Sequence, residues 1–88
     1  MESRVAVIAI LVRDSDSVEA LNGLLHEFGG YVVGRMGVPY AKRGVNIISV
    51  AVDAPQAVTS ALTGKIGRLK GVSVKTVYAP AEEPGNIE

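Results

Sequence analysis

The run VAVIAILV, Val5 to Val12, constrains the fold of this chain more than any other stretch. It falls far short of the ~20 apolar residues of a membrane span and is not built like a secretory leader, so it belongs inside a folded domain. Its β-branched residues are apolar at both alternating positions, the pattern of a strand buried on both faces at the centre of a sheet. Arg13 ends it. A central strand needs neighbours on each side and a layer on top, and the remaining sequence can be read for them.

The next stretch, RDSDSVEALNGLLHEFGG, predicts a helix. Asp16 stands as N-cap with Glu19 at capping-box spacing, and Val18, Leu21, Leu25 and Phe28 recur at helical intervals. Gly29 and Gly30 supply a left-handed stop. From Tyr31 to Tyr40 residues alternate, with Val32, Met36, Val38 and Tyr40 on one face and Tyr31, Val33 and Arg35 on the other. Pro39 confines that strand to a sheet edge. AKRG turns the chain, and Val45 to Asp53 returns as the second arm of a hairpin. DAPQAVTSALTGKIGRL reads as a second helix with Pro55 at its first position; Val58, Ala61, Leu62, Ile66 and Leu69 face the core and Gly71 ends it. VSVKTVYA is the last strand.

The order βαββαβ predicts an α+β, ferredoxin-like split-βαβ sandwich: an antiparallel four-stranded sheet with two helices on one face. Right-handed crossovers place the first and third strands in the middle. Residues 1–79 form the domain, and 80–88, PAEEPGNIE, a flexible C-terminal tail. The uncovered sheet face would carry Arg35, Ile47, Ser49, Ala51, Ser73, Lys75 and Val77 beside aliphatic residues of the first strand.

Size and composition bear on that bare face. A domain of 88 residues removes only roughly 60–65% of its unfolded surface from water, yet 48% of the residues are apolar and the mean hydropathy is +0.29. The excess predicts a homo-oligomer, dimer or tetramer, burying a second surface between subunits. Nine basic and nine acidic residues cancel, which removes the overall field that direct nucleic-acid or anionic-membrane binding uses. The absence of cysteine excludes disulfides, thiolate metal sites and a cysteine nucleophile. A cytoplasmic protein with no cofactor is expected.

The chemistry-bearing residues gather in HEFGGYVVGRMGVPYAKRGVN, residues 26–46. His26, the single histidine, has too few neighbouring donors for a metal centre; it either interacts with the negative end of its helix or contacts a ligand or a second subunit. Arg35, between Gly34 and Gly37, either guards an edge or forks onto an anion where the glycines admit a close approach. Tyr40 and Arg43 close the hairpin, so His26, Arg35, Tyr40 and Arg43 are the candidate ligand-binding residues. Gly64-Lys65-Ile66-Gly67 has the GXXG form of an RNA-binding loop but precedes a strand, where that loop joins two helices. No Ser–His–Asp set or paired carboxylates can be assembled, and no catalytic role is expected.

The strings LLHEFGGYVVGRMGVPY, GVNIISVAVD and SALTGKIGRLKGVSVKTVY closely resemble the small family of iron-only hydrogenase system regulators, over residues 4–79. The resemblance implies a stand-alone ACT-like domain, oligomeric, that senses an effector for hydrogenase or iron–sulfur metabolism. The fold is also similar to the ligand-binding domain of the nickel-responsive repressor, whose site uses several histidines and a cysteine; one histidine and no cysteine argue against nickel here. Amino-acid-binding ACT domains carry a glycine after the first strand, and RDSDS has none. Met1 to Arg4 hold no DNA-binding segment, so any effect on transcription would pass through a partner. The alternative is a structural protein-interaction domain with no small-molecule ligand.

Overall fold

The computed structural model describes residues 2–80. It contains β1 (Ser3–Val12), α1 (Val18–Glu27), β2 (Val32–Tyr40), β3 (Val45–Pro55), α2 (Gln56–Gly67) and β4 (Val72–Tyr78), with short 3-10 turns at Ser15–Ser17, Gly29–Tyr31 and Ala41–Arg43. Residues 81–88 of the expected tail lie outside the described residues. All strand pairings are antiparallel, and the order across the sheet is β2-β3-β1-β4. The protein is thus a small α+β domain with a four-stranded antiparallel sheet and two helices, its most apolar strand at the centre.

Alternation along β1 and β3 decides what is core. Ala6, Ile8, Ile10 and Val12 of β1, with Ile48, Val50 and Val52 of β3, are buried against Leu21 and Leu25 of α1 and Leu62 and Ile66 of α2. Their neighbours in sequence point the other way: Val5, Val7 and Leu11 are 49%, 42% and 36% exposed. Within one chain, then, β1 is covered on one face only, and its second apolar face is open.

Strand β2 reverses one expectation. Its pairing with β3 skips between Val32 and Gly34, so an extra residue, Val33, enters the ladder as a bulge. Beyond it the faces exchange. Arg35 stands opposite the buried Val50 and faces the helix layer, while Met36, Val38 and Tyr40 stand opposite Ser49, Ile47 and Val45 on the open face. The unbroken alternation read from the sequence had Arg35 on the open side.

Helix ends also depart from expectation. Asp14, not Asp16, caps: its Oδ1 accepts from the Asp16 amide at 2.9 Å and starts the 3-10 turn that leads into α1. Gly29 and Gly30 do not adopt left-handed geometry; they belong to a 3-10 turn, and the positive φ values fall at Gly44 (63°), in the hairpin, and Gly71 (71°), before β4. Pro55 ends β3 and caps α2 from outside the helix. On α2 the buried residues are Thr59, Leu62 and Ile66, at i, i+3 and i+7. Ala61, expected in the core, is exposed because it lies about 100° around the helix from Leu62.

The β1–α1 loop is fastened to the α2–β4 turn. The Arg13 amide donates to the Gly71 carbonyl at 2.8 Å, Ser17 Oγ donates to the Lys70 carbonyl at 2.6 Å, and Lys70 Nζ lies 3.6 Å from Asp14 Oδ2. Gly71 presses so closely on this loop that a Cβ there would meet Asp14 Cβ at 2.7 Å. In the last turn of α2, Lys65 lies 3.9 Å from Glu27 and 5.6 Å from the centre of the Phe28 ring, tying α2 to the end of α1.

Candidate functional site

The fastened loop and the β2–β3 hairpin meet at one end of the sheet and enclose an open groove of about 370 Å³. Val12, Arg13 and Ser15 line it from β1 and its loop; Pro39, Tyr40 and Ala41 from the end of β2; Gly44, Val45 and Asn46 from the start of β3. Each wall is set by local structure. Val12 pairs with Asn46 and Tyr40 with Val45, and left-handed Gly44 lets the hairpin turn tightly beside them. The volume falls in the range of small-molecule sites. Arg13, Ser15, Tyr40 and Asn46 are the polar residues among otherwise mostly apolar lining, a composition suited to a small anion bearing an apolar portion.

The four sequence-predicted residues do not converge. Tyr40 lines the groove, and Arg43 lies in the adjoining 3-10 turn without lining it. Arg35 is five positions along β2 from Tyr40, about 17 Å at the rise of an extended strand, and on the opposite face. Its Nη2 donates to Asn22 Oδ1 on α1 at 3.0 Å. His26 sits one helical turn beyond Asn22 on the same stripe of α1 and is exposed in its last turn. The groove residues and the Arg35–Asn22 contact therefore lie on opposite faces of β2. Sequence reasoning missed Arg13, Ser15 and Asn46, because only tertiary pairing brings their segments to Tyr40; the one sequence signal was RDSDS, a polar loop directly after the central strand.

The GXXG segment lies at the end of α2. Gly64 to Gly67 are the last turn of α2, Ile66 is fully buried, and a Cβ on Gly67 would touch Val74 at 3.4 Å. It is helical and packs against the sheet. Among the described residues no three His, Asp or Glu side chains group as metal ligands, and no helix is long and apolar enough to cross a membrane.

The fold is that of a small α+β domain, and comparison with known proteins gives the family. Residues 4–76 match the family model named TM1266-like, described as "Iron-only hydrogenase system regulator, putative". The chain belongs to the TM1266-like family. The solved structure of the uncharacterized protein TM1266 from Thermotoga maritima is 32% identical, is matched over 88% of this chain and 98% of its own, and superposes with a TM-score of 0.84. An unknown protein from Galdieria sulphuraria, 18% identical with a TM-score of 0.62 over 94% of this chain and 49% of its own, shares the fold. No curated protein matches the chain.

Proposed function

We propose that this protein is a cytoplasmic regulatory module with ACT-like, ferredoxin-type topology, acting as a homo-oligomer that senses a small anionic effector in the groove at the hairpin end. The strand order β2-β3-β1-β4 with a helix in each crossover supports the topology. The family description supports a regulatory role connected with the iron-only hydrogenase system. The observation that carries the effector reading is the groove itself, with Arg13, Ser15, Tyr40 and Asn46 among apolar walls. A carboxylate would accept from the Arg13 guanidinium while Tyr40 and Asn46 fix its orientation. Arg43 adds positive charge at the rim. Arg35 and His26, beside Asn22, form a second polar site and contact a partner in this reading.

Titration of small mono- and dicarboxylates and inorganic phosphate against thermal unfolding tests it. A sensor gains about 2.7 kcal/mol when ligand stands at a hundredfold excess over Kd, and Arg13→Gln removes the gain while leaving the unliganded melting temperature unchanged. A flat response to the whole panel defeats the effector reading. The open apolar sheet face favours a second reading, a structural interaction domain with no ligand, and that flat response is its expected outcome.

A further inference from the structure

The face of the sheet turned away from the helices carries two formal charges among the described strand positions, and their placement is informative. On β1 that face presents Val5, Val7, Ala9 and Leu11, on β2 Met36, Val38 and Tyr40, on β3 Ile47, Ser49, Ala51 and Asp53, and on β4 Ser73, Lys75 and Val77. An antiparallel sheet meant to face water alternates apolar-in with polar-out. This one instead leaves Val7, Val38, Ile47 and Val77 exposed at 42%, 50%, 41% and 69%. The two charges are one acid and one base, and both are exposed.

Their positions follow from register. Asp53 on β3 stands opposite Val5, and Lys75 on β4 stands opposite Ala9. β1 runs between those strands, and Val7 lies midway between Val5 and Ala9. Val7 is therefore the midpoint of the line joining the acid to the base. We infer that a second copy of this chain covers the face, related by a two-fold axis that lies in the plane of the interface and passes over Val7. Such an axis, perpendicular to the line from Asp53 to Lys75, exchanges the two ends of that line. Each Asp53 then meets the second copy's Lys75, Val7 packs on Val7, and the small side chains of Ala9 and Ala51 beside it let the sheets approach. The contact is isologous, so both charge pairs form at once and the interface is electrically neutral.

The inference rests on the homo-oligomer reading and adds its geometry, and sedimentation can test the two separately. Wild type is expected as a dimer at micromolar concentration. Asp53→Lys alone and Lys75→Asp alone each bring like charges together twice, and each weakens self-association at least about tenfold. Mixed in equal amounts, the two variants pair every 53 with a 75 of opposite sign, so a heterodimer as tight as wild type should form. That recovery also demonstrates that both variants fold. Val7→Arg should abolish association. A wild-type dimer whose strength none of these changes alters overturns the inference and leaves the oligomer reading standing, with another surface in contact. Wild type sedimenting as a monomer overturns both, and the face then belongs to a different partner or to residues 81–88.

Discussion

At the scale of single residues, two glycines separate backbone demand from mere tolerance. Gly71 combines φ of 71° with the Asp14 loop at 2.7 Å from where a Cβ would stand, so Gly71→Ala should cost more than about 2 kcal/mol, the sum of left-handed strain and displacement of the loop. Gly23, in the exposed middle of α1, has nothing within 4 Å; Gly23→Ala should instead stabilise by about 0.5–1 kcal/mol. Chemical denaturation of both variants reads the contrast, and similar effects at both sites would refute it. Thr59 offers a second measurement. Its Oγ1 is buried and has no hydrogen-bond partner among the described residues, so Thr59→Val, which keeps the shape and drops the hydroxyl, should gain about 1 kcal/mol. A loss would mean the hydroxyl is satisfied in solution. The sequence predicted that Gly71 ends the second helix; α2 instead ends at Gly67, and Gly71 turns the chain into β4, while the loop it touches was not legible, since that contact joins segments far apart in the chain.

At the scale of elements, strand order was legible because Pro39 marks an edge and VAVIAILV marks a centre, and both strands lie where those marks put them. The facing of β2 was not. Reading alternation assumes an unbroken ladder, and one bulged residue at Val33 inverts every side chain after it; Gly34, a glycine inside a strand pattern, was the available hint. The inversion gives Arg35 its partner on α1. A double-mutant cycle on Arg35→Ala and Asn22→Ala should return a coupling of about 0.5–1 kcal/mol, as for an exposed hydrogen bond from a charged donor. Additive losses would mean that the contact contributes nothing in solution. Of the candidate site, Tyr40 was legible from its place at a hairpin end, whereas Arg13, Ser15 and Asn46 become neighbours only through the β1–β3 pairing.

At the scale of the whole molecule, the excess of apolar residues over what one small domain can bury is accounted for by an open face whose exposed residues are mainly aliphatic. If association covers it, folding and assembly are coupled, and the melting temperature should rise by several degrees over a hundredfold increase in protein concentration. A concentration-independent transition would mean that one chain is stable alone. The central position of β1 has a further consequence for the protein's synthesis. The most apolar strand leaves the ribosome earliest of the four, while β4, which closes one of its two edges, comes last. At ~5–20 residues per second, the stretch from Val12 to Tyr78 takes roughly 3–13 s to make. Throughout that interval VAVIAILV has at least one unpaired edge and no complete sheet to join. The nascent chain is therefore most vulnerable to aggregation before its last strand arrives, and a chaperone that holds short aliphatic segments would have its natural target in Val5 to Val12.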